Sequence, residues 1–242
     1  MGNCNEKHSE DPTAEDIGGI AHQYSVHLTG TQFQDEKMAL MRKDQELKDY
    51  ITNNEPVKFR MEGGAVYEGE LKVAKPNGQG SLVSSSYVYK GNWINGRPNG
   101  YGIVNYSNGG TYEGDLVNGV CQGHGKFKRA DGTFSYDGEF QNGKFQGRGS
   151  CLWANGASFS GQFLNGRFEG PGVYCFPDGK QFRGNYHQGL KEGKGEVVFP
   201  NNLGVYSGVW REGALLGGGQ FAANGTVTQG EWLNGNFQSI KA

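Results

Sequence analysis

The chain of 242 residues lacks features that define several classes of protein. No apolar run approaches the roughly 20 residues that a membrane-spanning helix needs. No apolar segment follows the start, as a secretory signal peptide would require. Hydrophobic residues make up only 35% of the chain, which is low for a compact two-layer domain of this length. We therefore expect a cytoplasmic protein whose core is one layer thick.

Residues that carry chemistry are few and scattered. The four cysteines show no paired spacing, so we expect reduced thiols, in keeping with a cytosolic compartment. None of the five histidines has a cysteine or carboxylate at metal-ligand spacing. The Gly-x-Gly pairs fall inside predicted strands, where a dinucleotide-binding loop cannot form. The sequence predicts no catalytic residues, no metal and no cofactor, and so no enzyme.

The charge is low but unevenly distributed. The formal net charge is −2, with 5 basic and 11 acidic side chains in residues 1–56 and 18 basic and 14 acidic side chains in residues 57–242. The longer part is nearly neutral for its size, which gives no reason to expect nucleic-acid binding.

Glycine, by contrast, is abundant. The chain has 43 glycine residues, and they recur at a regular spacing. An aromatic residue with glycine two positions later recurs every 22 to 24 residues, and a bulky residue stands four positions after the aromatic one. These three positions share one face of a strand. Such a period indicates a repeat architecture. The copies start at Tyr67, Tyr89, Tyr112, Tyr136, Phe159, Phe182, Tyr206 and, in a decayed form, Thr228.

Each copy is predicted to be a β-hairpin. An Asn-Gly pair such as Asn95-Gly96 follows the first strand, and it is the strongest short-range hairpin signal. A Gly-x-Gly pair such as Gly100/Gly102 then opens the return strand. One hairpin is marginal in water, so the hairpins must stack edge to edge. The prediction is an all-β fold: an elongated, single-layer, twisted antiparallel meander.

This pattern resembles the MORN repeat, whose consensus runs Tyr-x-Gly-x-Trp-x-x-Gly-x-x-x-Gly-x-Gly. Residues 67 to about 235 match it in seven full copies and one partial copy. Copy one departs from it, with Ala74 where the turn glycine should be and Lys75-Pro76-Asn77 as its loop. The resemblance implies an elongated sheet that serves as a scaffold, a dimerisation element or a groove for a partner peptide.

Four segments follow from this division. We expect a disordered acidic tail at residues 1–30, an amphipathic helix at 31–55, the repeat array at 56–236 and a short C-terminal tail at 237–242. Within the helical segment, residues 31–52 carry an apolar stripe, and the stripe either covers the open edge of the first hairpin or is kept for a partner. Its members are Phe33, Leu40, Met41, Leu47, Tyr50 and Ile51.

The first residues form a candidate lipidation site. Removal of Met1 would expose Gly2 for myristoylation, and Cys4 could take a palmitoyl chain, which together would give stable anchoring. Glu6 stands where the myristoylation pattern wants Ser or Thr. A tail without lipid is the alternative.

Two features of the array could bind a partner. The rings of the aromatic face are either the sheet's own core or, because a single layer leaves that face uncovered, a surface for a partner protein or a second copy. Basic residues just after the turns could meet acidic phospholipids. The ring set is Tyr89, Trp93, Tyr112, Tyr136, Phe140, Trp153, Phe159, Phe163, Tyr174, Phe182, Tyr186, Tyr206 and Trp210, and the basic set is Arg97, Lys144, Arg167 and Lys191.

The function predicted from these features is that of a non-catalytic scaffold or adaptor. It binds a protein partner or itself through the aromatic face, with N-terminal lipidation as a candidate membrane tether. The alternatives are a peripheral membrane module that binds acidic phospholipids and an axonemal or cytoskeletal structural component.

Overall fold

The computed structural model describes residues 56–61, 63–73, 75–233 and 236–239. These residues form 18 β-strands and one short 3-10 turn, with no α-helix among them. Accordingly, no helix of the described part is long and apolar enough to cross a membrane. The predicted tail, the predicted helix, Gly2 and Cys4 all lie outside the described residues.

The chain divides into two compact units, and among the described residues the boundary falls between Lys144 and Phe145. The N-terminal unit contains eight complete strands. They are β1 (Val57–Arg60), β2 (Val66–Lys72), β3 (Lys75–Val83), β4 (Tyr87–Ile94), β5 (Arg97–Tyr106), β6 (Thr111–Val117), β7 (Val120–Lys128) and β8 (Phe134–Gln141).

The C-terminal unit contains the remaining ten strands. A 3-10 turn, Pro200–Asn202, separates β13 from β14. The strands are β9 (Lys144–Trp153), β10 (Ser158–Leu164), β11 (Arg167–Cys175), β12 (Gln181–His187), β13 (Leu190–Phe199), β14 (Gly204–Arg211), β15 (Ala214–Leu215), β16 (Gly219–Ala223), β17 (Thr226–Leu233) and β18 (Asn236–Ser239).

Within each unit the strands form an open antiparallel meander. From β1 to β8 every strand pairs with the next one in the sequence. The same holds from β9 to β14, and β14 then pairs with β15 at one end and β16 at the other. The predicted all-β meander is confirmed.

Two boundaries differ from the prediction. Lys75-Pro76-Asn77 was expected to be the loop of copy one, but β3 begins at Lys75, because Val73 takes the left-handed conformation (φ 48°) that the turn needs. At the other end, β18 pairs with β17 as far as Ser239. The repeat geometry thus continues past the predicted end of the array at residue 236.

The Asn-Gly turns have the backbone that their sequence predicts. Asn95 and Gly96 both have positive φ (51° and 84°), as a two-residue turn of type I′ requires. Gln188 and Glu212 occupy the asparagine position of later turns with φ 51° each, where an ordinary side chain is strained. The turn type is therefore set by the repeat as a whole.

Each turn is also tied to the preceding copy. The N–H of Gly96 donates to the carbonyl of Pro76 at 2.8 Å, and equivalent bonds recur at Gly119, Gly143, Gly166, Gly189 and Gly213. In later copies a side chain adds a second bond, since Gln122 Oε1 accepts from the N–H of Asn142 at 3.0 Å. Gln146, Glu169 and Glu192 act in the same way on the next turns. These bonds connect one hairpin to the next along the turn edge.

Candidate binding surface

A row of glycines crosses the strands of each unit. Gly69, Gly80, Gly91, Gly102 and Gly114 are direct cross-strand neighbours, and the row goes on through Gly125 to Gly138. In the C-terminal unit it runs from Gly149 through Gly161, Gly172, Gly184 and Gly195 to Gly208. The missing side chains leave a shallow trough along the sheet.

The aromatic ring that starts each copy lies in this trough, over the glycines of its own hairpin. A Cβ added to Gly125 would meet Tyr112 Cε2 at 2.6 Å, and one added to Gly172 would meet Phe159 Cζ at 2.5 Å. Real Cβ contacts are not this short, so glycine is required at both places. The same ring also lies over the glycine two residues after it on its own strand, since a Cβ added to Gly114 would meet Tyr112 Oη at 2.8 Å.

In the N-terminal unit the ring is fixed by a hydrogen bond. Tyr89 Oη donates to the carbonyl of Asn92 at 2.7 Å, and Tyr67, Tyr112 and Tyr136 bond three residues ahead in the same way. Burial raises the pKa of Tyr89 above its ordinary value. The Tyr89 phenol therefore stays protonated and keeps donating at any ordinary pH.

The bulky residue four positions later covers two of these rings edge-on. Trp93 meets Tyr67 and Tyr89 at centroid distances of 5.1 and 5.3 Å, in the T-shaped arrangement that aromatic pairs prefer. Phe140 meets Tyr112 and Tyr136 in the same way. In the C-terminal unit Tyr186 covers Phe159 and Phe182, and Trp210 covers Phe182 and Tyr206. In these four copies the bulky residue thereby covers its own ring and the ring of the copy before it.

The premise that the aromatic face is uncovered is wrong, because these bulky residues cover the rings. Twelve of the thirteen predicted ring residues are buried, with exposures of 0 to 6%. Only Trp153 is partly exposed. The buried rings are the core of the sheet, and the surface that they leave to solvent is much smaller than the sequence suggested.

Trp153 belongs to a cluster of three rings on this face of the C-terminal unit. Its ring centroid lies 5.9 Å from that of buried Tyr174, which lies 4.8 Å from that of Phe176. Phe176, like Trp153, is partly exposed. Lys191 Nζ lies 5.1 Å from the centroid of the Phe176 ring, within cation–π range. We call Trp153, Tyr174 and Phe176 the ring cluster.

The predicted row of basic residues is only partly present. Arg97 and Arg167 are exposed and Lys144 is half-exposed, each directly after a turn. Lys191 stands one residue further on, because it pairs with Tyr186 whereas Leu190 holds the position next to the turn. Its ammonium group lies over Phe176 and Phe182. Lys191 therefore lies on the aromatic face of the sheet, which we call the ring-bearing face from here on, and not at the turn edge.

The opposite face of the sheet is solvent-exposed and carries charged side chains. Lys58 pairs with Glu68 at 2.7 Å, and Asp137 faces both His124 at 3.2 Å and Lys126 at 3.7 Å. Exposed pairs of this kind contribute at most about 1 kcal/mol each. No group of three or more His, Cys, Asp or Glu side chains suited to a metal ion occurs in the described part of the chain.

The cysteines within the described residues have no disulfide partner. Cys121 and Cys151 are buried and Cys175 is half-buried. Burial raises the pKa of Cys121 to about 12 and raises that of Cys151 as well. Cys151 lies beside Phe159 on the ring-bearing face, and Cys175 lies on the other. The two buried thiols are inert packing residues.

Comparison with known families agrees with this geometry. A model of the MORN repeat matches five consecutive stretches, residues 89–111, 112–134, 136–158, 159–181 and 182–203. The chain is a MORN-repeat protein. Each matched MORN repeat begins at the ring that lies on the glycines. The geometry also extends beyond the match, since a Cβ on Gly80 would meet the Tyr67 ring and a Cβ on Gly219 would meet that of Tyr206.

Other comparisons add little to the family assignment. No curated protein matches this MORN-repeat chain. Among solved structures it is similar to the SAS-4 (dCPAP) TCP domain of Drosophila melanogaster, solved in complex with a proline-rich motif of Ana2 (dSTIL). The identity is 13%, the match covers 72% of this chain and 88% of that chain, and the TM-score is 0.39. That likeness is too loose to support an argument about function.

Proposed function

We propose that this MORN-repeat protein is a non-catalytic adaptor that binds a partner protein or a second copy of itself on its ring-bearing face. MORN repeats generally serve as protein-binding or membrane-binding modules. The observation that carries the proposal is the ring cluster, because Trp153 and Phe176 keep part of their surface in solvent, whereas the twelve other rings of the predicted set are buried. Partly exposed aromatic residues on a rigid base are the usual anchors of protein interfaces.

The buried rings have an indirect role in this proposal. Tyr174 contacts both exposed rings, and Phe168 contacts Trp153 at a centroid distance of 6.4 Å. A side chain that is already held in place loses little conformational entropy when a partner binds. The sheet core therefore positions Trp153 and Phe176 but does not touch the partner.

The test replaces the exposed rings and leaves the core intact. Trp153→Ala with Phe176→Ala should weaken capture of the partner, or self-association, at least tenfold. The matched control is Leu152→Ala with Cys175→Ala, since each residue is the chain neighbour of a cluster ring but lies on the opposite face. Circular dichroism must show that both double variants keep the sheet. Equal binding by the two variants would contradict the proposal.

Recognition of a membrane surface is the second candidate. It is favoured by Arg97 and Arg167, which are exposed and which no described acidic side chain engages in an ion pair. Each such charge near an anionic surface contributes about 1 kcal/mol. Vesicles with and without phosphatidylserine, mixed with unacylated protein at physiological salt, test this candidate. Flotation lost in Arg97→Gln with Arg167→Gln would support it, and no flotation of the native protein would exclude it.

N-terminal acylation is a separate part of the proposal. Myristoylation of Gly2 together with palmitoylation of Cys4 would anchor the adaptor to a membrane, since two lipid chains suffice for stable attachment and one does not. The intact mass of the protein made in a eukaryotic cell decides this point. Two added acyl chains are expected, and an unmodified or acetylated N-terminus would contradict the assignment.

A further inference from the structure

The turns of this chain repeatedly use a reactive pair of residues, asparagine followed by glycine. The backbone nitrogen of the glycine can attack Cγ of the asparagine side chain, because glycine has no Cβ to block the approach. A bond forms between that nitrogen and Cγ, the Cγ–Nδ2 bond breaks, and ammonia leaves with the proton of the N–H. Water then opens the resulting imide to aspartate or isoaspartate. The state of the glycine N–H therefore decides how readily each pair reacts.

Four of these pairs lie in turns that are tied to the preceding copy. In each of them the glycine N–H donates to a carbonyl of that copy, at 2.8 to 3.0 Å, and the glycine itself is buried. Such an N–H must give up its hydrogen bond before the nitrogen can lose its proton and attack. The ties therefore protect the pairs that begin at Asn95, Asn118, Asn142 and Asn165.

Two further pairs are held within their own turns, at the opposite edge of the sheet. The N–H of Gly109 donates to the Tyr106 carbonyl at 2.9 Å, and that of Gly156 donates to the Trp153 carbonyl at 3.0 Å. The asparagine Oδ1 of each pair accepts from the N–H two residues ahead, at 3.0 Å. Both reacting groups are thus engaged in these turns.

Asn224-Gly225, which joins β16 to β17, differs from all of these pairs. It forms a two-residue turn with φ of 50° and 76°, since Ala223 pairs with Thr226. Both turn residues are exposed, and nothing lies within 4 Å of a Cβ added to Gly225. Among the residues that the structure describes, none accepts a hydrogen bond from the Gly225 N–H. This turn has the backbone of the tied turns without the tie.

We propose that Asn224 is a site of spontaneous deamidation, while the asparagines of the other described Asn-Gly turns stay intact. Conversion to aspartate adds one negative charge to the turn. Conversion to isoaspartate also adds one carbon atom to the main chain, inside a turn whose two φ angles are fixed by the paired strands on either side. The modification therefore acts on the hairpin of β16 and β17. This inference does not rest on the proposed function, which uses the ring cluster.

Peptide mapping of the aged full-length protein tests the inference. The native protein is kept in a mildly alkaline buffer, and mass spectrometry with fragment-ion sequencing gives the converted fraction at each asparagine. Asn224 should convert at least about fivefold faster than the four tied asparagines, because only these must first break a hydrogen bond. The same chain unfolded in urea should lose most of this difference. Conversion of Asn224 no faster than the tied asparagines in the native protein would overturn the inference.

A matched variant places the same pair in a tied turn. Gln188 has a φ of 51°, close to that of Asn224, and the N–H of Gly189 donates to the Phe168 carbonyl at 2.9 Å. In Gln188→Asn, position 188 should stay intact while Asn224 converts in the same molecule. Equal conversion at the two positions would contradict protection by the tie.

Discussion

The contact between ring and glycine allows a sharp prediction at Gly125. Gly125→Ala leaves the backbone unstrained, because φ at Gly125 is not positive. The new methyl group would lie 2.6 to 2.8 Å from three atoms of the Tyr112 ring, which is 1% exposed and has no free space to enter. Overpacking of this kind costs about 1–3 kcal/mol. Displacing the ring also breaks the 2.7 Å hydrogen bond from Tyr112 to the Asp115 carbonyl, at about 1 kcal/mol.

The expected loss of unfolding free energy is therefore about 2–4 kcal/mol, which would lower the urea midpoint by roughly 1–2 M. The control is Gly132→Asn, because nothing lies within 4 Å of a Cβ at Gly132 and asparagine tolerates its φ of 70°. It should change stability by less than about 1 kcal/mol.

A double-mutant cycle separates the clash from other effects. In a Tyr112→Ala background the ring is gone, so Gly125→Ala should cost less than about 1 kcal/mol, which gives a coupling free energy above about 1 kcal/mol between the two sites. If Gly125→Ala alone stays within about 0.5 kcal/mol of the native protein, the ring does not lie on the glycine and the account of the repeat is wrong.

Three further predictions follow from the same geometry. Gln188→Asn should raise the free energy of unfolding by up to about 1 kcal/mol, and with it the thermal midpoint, since asparagine tolerates the φ of 51° there; a lower midpoint would contradict this. Gln122→Ala should speed exchange of the Asn142 amide several-fold by removing its 3.0 Å acceptor, and unchanged exchange would contradict the tie between copies. Between pH 7 and pH 9 stability should stay constant, and above pH 10 it should fall, because burial raises the pKa of Tyr67 and Tyr89 in the folded state and the unfolded chain releases these protons first; urea titrations at pH 8 and pH 11 check the sign.

Much of the fold could be predicted because the repeat fixes its own geometry. The two-residue spacing of Tyr89 and Gly91 predicts a strand, and the pair Asn95-Gly96 predicts a type I′ turn. Both are present. The break between β15 and β16 was not predicted. It falls where the copy replaces the expected strand residues with Leu216-Gly217-Gly218.

The burial of the rings could not be predicted from strand periodicity. A period of two places Tyr89 and Trp93 on one face, but it does not say that the tryptophan bends over the tyrosine. The pairing of β4 with β5 also shifts register between Gly91 and Trp93, and no single residue in the sequence marks that shift. The alternative considered from the sequence, that the rings are the sheet's own core, is the one that the exposures support.

A usable signal was overlooked at the turn edge. Gln122, Gln146, Glu169 and Glu192 each stand three residues after a turn glycine, so their recurrence was visible in the sequence. The earlier copies carry Asn77 and Asn99 at this position. Their shorter side chains accept no hydrogen bond from the N–H of the next turn, which explains why this hydrogen bond is confined to the later copies of the described residues.

The most direct test of the adaptor proposal places a photo-cross-linking amino acid at one of two adjacent positions. Trp153 is on the ring-bearing face, and Leu152, 53% exposed, is on the other. Under our account, position 153 gives a discrete adduct with the partner or with a second copy, and position 152 gives none. An adduct from position 152 alone, or equal adducts from both, would contradict binding through the ring-bearing face.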